Sequence, residues 1–352
     1  MLCALAGLAG CAQIEYYYQA AQGQIALLSG ARPIDDWLAD PEVGGKLKAR
    51  LIKVREIRRY AARELGLPDN NSYKNYADLK RPYVLWNVVA TPELSMKPAQ
   101  WCFPIAGCVN YRGYYHKQEA LDYEDSLRRA GYDVQMGGVA AYSTLGWFND
   151  PVLSTFIEYP DGELARLVFH ELAHQVAYAK DDTQFNESFA TAVEELGVER
   201  WMASHGDERM RQTFHVFDGR KHDFLLLLIK YRAKLEANYI RPVSDNDKRR
   251  QKGKIFQALK DEYQVLKTTW GGYAGYDRWF AEPLSNAHLA SVATYNDYVP
   301  AFRTLMSEQK TLGKFYRSVQ VMAVLNPAVR QQRLAQLGRS GALASVDGAV
   351  RQ

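Results

Sequence analysis

The sequence predicts a helix-rich α+β protein: a lobe built on a mixed β-sheet, followed by a lobe of helices, with a cleft between them. Three observations predict it. Stretches rich in β-favouring residues are confined to the region between Tyr83 and Thr144. Apolar residues recur at helical spacing through most of the chain beyond Thr144. The chain has 352 residues, 47% of them hydrophobic and 24% charged, enough for one large core or two lobes.

Taken in order, Ile14 to Leu28 and Gly44 to Leu65 read as helices with polar faces, and Gly66-Leu67-Pro68 marks a stop. Tyr83 to Ala90 reads as a strand closed by Thr91-Pro92. Trp101 to Tyr115 reads as one or two further strands around a turn between cysteines. Glu119 to Gly131 is a crossing helix. Tyr132 to Thr144 is a strand, with a turn signal next at Asn149-Asp150-Pro151. Beyond the helical pair that carries the chemistry, helices are expected over Gly206 to Glu236, Asp247 to Thr269, Asn286 to Ser307 and Leu312 to Leu337. The small, polar tail, 338–352, is expected to be disordered. The chain thus divides into an apolar leader over 1–10, a sheet lobe over 11–160, a helical lobe over 161–337 and the tail.

Composition excludes some classes of partner. The formal net charge is only +4, and the basic run Lys248 to Lys254 lacks a nucleic-acid motif with interleaved aromatics, so it reads as a solvated helix face. No stretch beyond the leader approaches the roughly 18 uninterrupted apolar residues of a membrane span. Phe224 to Ile229 is a short apolar run suited to a buried helix.

The chemistry lies in His170-Glu171-Leu172-Ala173-His174. Residues four apart on a helix share a face, so His170 and His174 can grip one metal ion. Glu171 then lies beside the open coordination position and can take a proton from the attacking water. The flanks carry apolar residues at helical spacing and no proline. After a polar break at Lys180 to Thr183, a second helical run begins at Gln184. A catalytic zinc site needs a third protein ligand. The extended H-E-x-x-H-x-x-G-x-x-H pattern fails, because Ala177 and Lys180 occupy its glycine and third histidine positions. Asp181 and Asp182 follow the helix too closely. Glu187, in the first turn of the second helix, reaches the pair if the helices fold back antiparallel. Glu194 is the next candidate ligand, and is better suited to accept from a ligand histidine's other N–H.

His170 to His174 followed by Phe185-Asn186-Glu187-Ser188-Phe189-Ala190 resembles the gluzincin type of metallopeptidase, in which a glutamate on a following helix completes the zinc site. Trp101 to Cys108, Tyr111-Arg112-Gly113-Tyr114, Ala141 to Phe148 and Asp150-Pro151 resemble the bacterial putative-aminopeptidase family of lipoprotein zinc proteases. This likeness runs from about residue 11 to 335. It implies a gluzincin-like cleft holding one Zn2+ and acting on a peptide. It also implies that Gly138, Ala140 and Tyr142 lie on a strand pairing with the substrate backbone. The other reading of that segment is an ordinary edge strand with a bulge at Gly137-Gly138. Gly137 to Phe148 contains no carboxylate to hold a free amino group, which keeps an endopeptidase open beside an aminopeptidase. Hydrolysis of peptidoglycan amide bonds stays open too, as does a zinc-binding scaffold without turnover. For the donor to the oxyanion, the candidates among 23 tyrosines and seven histidines are Tyr295, Tyr298 and His288, with Tyr239 behind them.

Leu8-Ala9-Gly10-Cys11 resembles the site at which bacterial lipoprotein precursors are cleaved before a lipidated cysteine. That implies a lipid anchor on Cys11, no transmembrane helix in the mature chain, and a place on the periplasmic side of the envelope. With Cys3 in the leader and Cys11 lipidated, Cys102 and Cys108 remain. Their separation suits a small disulfide loop in an oxidising compartment, and also suits two free thiols.

Overall fold

A computed structural model describes residues 3–103 and 107–350, with side chains over 14–103, 107–290 and 296–340. The first half carries α1 (Cys3–Ser29), β1 (Arg32–Pro33), α2 (Ile34–Ala39), α3 (Gly45–Arg63), β2 (Asn75–Ala77) and β3 (Leu85–Pro92). Then come β4 (Trp101–Phe103), β5 (Gly107–Val109), β6 (Arg112–Tyr114), α4 (Lys117–Arg129), β7 (Tyr132–Val139) and β8 (Val152–Leu153). The second half is helical among the described residues: α5 (Asp161–Ala173), α6 (Thr183–His205), α7 (Glu208–Tyr239), α8 (Asp245–Thr269), α9 (Asp277–Ala281), α10 (Asn286–Asn296), α11 (Val299–Gln309), α12 (Leu312–Ala323) and α13 (Pro327–Val350). The fold is therefore helix-rich α+β, as expected.

The larger sheet is antiparallel, in the order β6-β3-β7. Its central strand β3 alternates: Trp86, Val88 and Ala90 are buried and pack with Tyr114, Val134 and Ala120 of α4. Leu85, Asn87 and Val89 face the other way, over the cleft. A second, mixed sheet joins β1, β2 and β8, and β4 and β5 form a hairpin. The largest core takes residues from both sides of position 160. Leu51, Val54 and Ile57 of α3 meet Leu164, Val168 and Phe169 of α5, with Phe189 of α6 and Phe302 of α11 completing it. A separate core lies among α7, α8, α9 and α10.

Four boundaries depart from expectation. The single helix expected over Asn286 to Ser307 is two, because Pro300 can enter only the first turn of α11 and a new helix must start there. Pro327 likewise divides α12 from α13. The tail expected to be disordered is helical as far as Val350, since Gly338 to Val350 contains no proline to stop α13. The strand expected to reach Thr144 ends at Val139, where Val84 N–H closes the ladder on the Val139 carbonyl. The next carbonyl, on Ala140, accepts from Thr155 Oγ1 instead.

Candidate metal centre

The site is made where α5 ends and α6 begins. Nine residues of α5 are buried, and they hold the helix between α3 and α6. His170 lies in its last turn and His174 is its C-cap. The chain reverses through Gln175 to Asp182. Asp182 caps α6 by accepting the Phe185 N–H at 3.0 Å. Asn186 braces the turn from inside, accepting from Ala179 N–H at 2.7 Å and donating to its carbonyl at 2.9 Å. Further along, Gly197 lets α6 approach α5: a Cβ there would meet the Phe169 ring at 2.7 Å.

This reversal brings Glu187 onto the histidine pair. The Nε2 atoms of His170 and His174 are 3.2 Å apart, and Glu187 Oε2 lies 3.2 Å from one and 3.6 Å from the other. Donors held about 2.0–2.1 Å from a tetrahedral zinc are about 3.3–3.4 Å from one another. Three ligand atoms of the right type are thus already spaced to hold a metal ion. The C-terminal end of α5 contributes its negative dipole to the same point.

Around the three donors is a network of charge. Glu194, two turns after Glu187, accepts from His170 Nδ1 at 2.7 Å, which leaves Nε2 turned toward Glu187 and His174. It is therefore a supporting carboxylate and does not join the donor cluster. Behind it stand Arg166 at 3.6 Å and Lys221 at 3.7 Å, with Arg166 also paired to Asp218 at 2.5 Å. Burial pushes the Glu194 carboxyl up, but Lys221, His170 and Arg166 hold it down at about 2. For Glu187, burial is likewise overcome by His174 and His170, again giving about 2. Burial opposes charge on His170, yet its hydrogen bonds to both glutamates keep the imidazolium well above the usual histidine range. Both carboxylates are thus ionised and ready for a cation. Burial raises the Glu171 carboxyl, with His170 and His174 pulling the other way.

The donors and Glu171 line a cavity of about 270 Å3 between α5, α6 and the open face of the sheet. Among its lining residues the carboxylates are Glu171 and Glu187, and six aromatic rings enclose the rest: Tyr16, Phe103, Tyr111, Tyr115, Tyr142 and Tyr178. Tyr16 and Ala20 bring α1 in as one wall. The disulfide Cys102–Cys108 ties β4 to β5 beside it. That hairpin docks on the turn between the metal helices, where Asp181 Oδ1 accepts from Cys108 N–H at 2.7 Å.

From the segment expected to bind the substrate backbone, the cavity is lined by Val139, Ala141, Tyr142 and Ser143. Gly138 borders a neighbouring cavity, and Ala140 lines neither. Tyr142 hydrogen-bonds Tyr115 Oη at 2.6 Å and also bonds Gln24 of α1. Three of the expected oxyanion donors are elsewhere. His288 is buried on α10 against Trp279, accepting from Ser285. Tyr298 caps α11, and Tyr239 bonds Asn286 at 2.7 Å. None of the three lines the metal cavity. The side chains of Tyr295 and Cys11 lie outside the described residues. Two phenols of the cavity lining, Tyr111 and Tyr178, lie close enough to Glu187 to feel its charge. Burial, then the charge of Glu187, raises both, Tyr178 to about 12. Tyr178, four residues after His174, carried a positional signal in the sequence. Tyr111 carried none, since only the fold brings it there.

A family model described as "Putative aminopeptidase" matches residues 15–334. The chain belongs to that family. Neither a curated protein nor a solved structure matches it. Membership in the putative aminopeptidases makes peptide hydrolysis its class of reaction and a peptide its substrate. Among the described residues, no helix is long and apolar enough to cross a membrane.

Proposed function

We propose that this member of the aminopeptidase family is a zinc-dependent peptidase of gluzincin type, anchored by lipid on Cys11 to the periplasmic side of the envelope. The observation that carries the reading is the spacing of His170, His174 and Glu187 beside an uncommitted carboxylate, Glu171, in one cavity. Two imidazole nitrogens and one carboxylate oxygen fit Zn2+, which on binding would displace the proton that His170 otherwise holds, and leave a fourth position for water. Bound there, zinc supplies Lewis acidity toward the scissile carbonyl and lowers the pKa of water. Glu171 takes the proton of the attacking water and delivers it to the departing amine. Glu194 fixes the His170 tautomer, and Arg166 and Lys221 keep Glu194 ionised. Tyr111 and Tyr178, which line the cavity near Glu187, are the candidate donors to the oxyanion. The apolar leader ending at Leu8-Ala9-Gly10-Cys11 supports the lipid anchor.

One observation favours an endopeptidase as a second reading. Among the described residues, the lining of the metal cavity offers no carboxylate beyond Glu171 and Glu187 to grip a substrate's free amino group. Parallel digestion of free and N-acetylated peptides separates the two, since an endopeptidase cleaves both. For the chemistry itself, Glu171→Gln retains one zinc and loses at least about 10²-fold in kcat. Undiminished turnover by that variant rules out the assigned base.

A further inference from the structure

A second cavity of about 220 Å3 adjoins the metal cavity on the open face of the sheet, and the two share Asn87, Tyr111 and Val139 as lining. The register explains how the two come to share a wall. Asn87 on the central strand β3 stands opposite Gly113 of β6 on one side and Gly137 of β7 on the other. Directly paired residues project to the same face, so Asn87 has bare backbone on both flanks and a shallow trough crosses the sheet there. A Cβ at Gly113 would touch Asn87 Oδ1 at 3.0 Å, whereas at Gly137 its nearest contact would be the tip of Gln135 at 3.4 Å. The trough is open on the Gly137 side. Asn87 Oδ1 is buried over Gly113 and accepts no hydrogen bond among the described residues, a cost that would be removed if the amide turned toward a polar ligand on the Gly137 side. The far cavity adds the amides of Gln135 and Asn110 to its lining.

Resting on the peptidase reading, we infer that the substrate is a peptide extended beyond the scissile bond, lying across the sheet from the metal helices into this second cavity. Asn87 positions its main chain. Gly137 leaves the space it occupies, and Gly113 the room into which the Asn87 amide is folded. Recognition along a sheet face differs from pairing with the free edge of β7. It makes Asn87 and Gly137 determinants of substrate length, since a dipeptide cannot reach from the metal to the far cavity.

The test compares the zinc-loaded full chain with G137A, G137V and G137L, and with Asn87→Leu. The substrates are a dipeptide and two hexapeptides sharing its scissile pair, one extended toward each terminus. In the wild type, one hexapeptide gains at least about tenfold in kcat/KM over the dipeptide. The gain shrinks stepwise as the side chain at 137 grows, and it is lost in Asn87→Leu through KM. Zinc content and thermal midpoint identify any misfolded variant, and G137A, which meets only the Gln135 tip, carries the series if G137L does not fold. A hexapeptide advantage undiminished in G137L overturns the inference, as does the absence of any advantage in the wild type. Binding of fluorescein-labelled hexapeptides to zinc-loaded Glu171→Gln decides independently of turnover. If no peptide is cleaved, the peptidase reading falls, yet a Kd raised about tenfold by G137L still supports the trough. An unaltered Kd, or no binding to Glu171→Gln at all, counts against it.

Discussion

At the residue scale, the donors were legible because their geometry is local. Two histidines four apart on a helix converge whatever the rest of the fold does, and Glu187 needed only a short reversal to join them. Glu194 was legible for the same reason, as it sits on the face of α6 that carries Glu187. The cavity's aromatic rings were not. Tyr16 comes from α1 and Tyr111 from just before β6, and their approach depends on pairings far apart in sequence. Tyr298 and His288 are among the candidate oxyanion donors, yet one stands at the N-cap position of α11 and the other is packed against Trp279. The supporting role of Glu194 makes a sharp expectation. Glu194→Ala leaves His170 Nδ1 without its 2.7 Å acceptor and Arg166 without one of its carboxylates. Zinc affinity falls about 10–100-fold, read by competition with a chromophoric chelator. A change within about twofold means that Glu194 does not orient the ligand.

At the element scale, periodicity located every long helix and proline decided where they divide. Reading α10 and α11 as one helix ignored Pro300, and reading α12 and α13 as one ignored Pro327. The strand ending at Val139 was overestimated because the sequence does not show that Thr155 captures the next carbonyl. The element on which the site depends is the α5–α6 reversal. Asn186 holds it with two hydrogen bonds to Ala179, at 2.7 and 2.9 Å, in a buried setting. Asn186→Ala leaves both backbone groups unpaired and costs about 2–3 kcal/mol in urea unfolding. It also lets Glu187 drift from the histidines, so zinc affinity drops in parallel. Stability lost without any loss of zinc affinity would show that the reversal holds its shape by packing alone.

At the scale of the whole molecule, two lobes were foreseen, but not that the principal core draws on both sides of position 160. Sequence distance hid it: α3 packs on α5 across about a hundred residues. The junction of α10 with the sheet gives the fold a dependence on pH. His288 is buried there, and burial, with Arg128 nearby, lowers it from 6.5 to about 4. The unfolded chain therefore takes up this proton first. The stability involved is complete above about pH 6.5 and is lost as the pH falls toward 4, by at most about 3 kcal/mol. Urea midpoints of the wild type should fall more steeply over that window than those of His288→Gln, and parallel curves would discount the burial of a neutral imidazole. The proposed catalysis and the role proposed for Glu194 both depend on one cation held between α5 and α6. The most direct measurement is X-ray absorption at the zinc edge, with metal content, on the purified chain and on Glu187→Ala. One zinc per chain, surrounded by two imidazole nitrogens and oxygen ligands and weakened at least about tenfold in affinity by the substitution, is the predicted result. A chain that takes up no zinc, or takes it up equally well without Glu187, contradicts it.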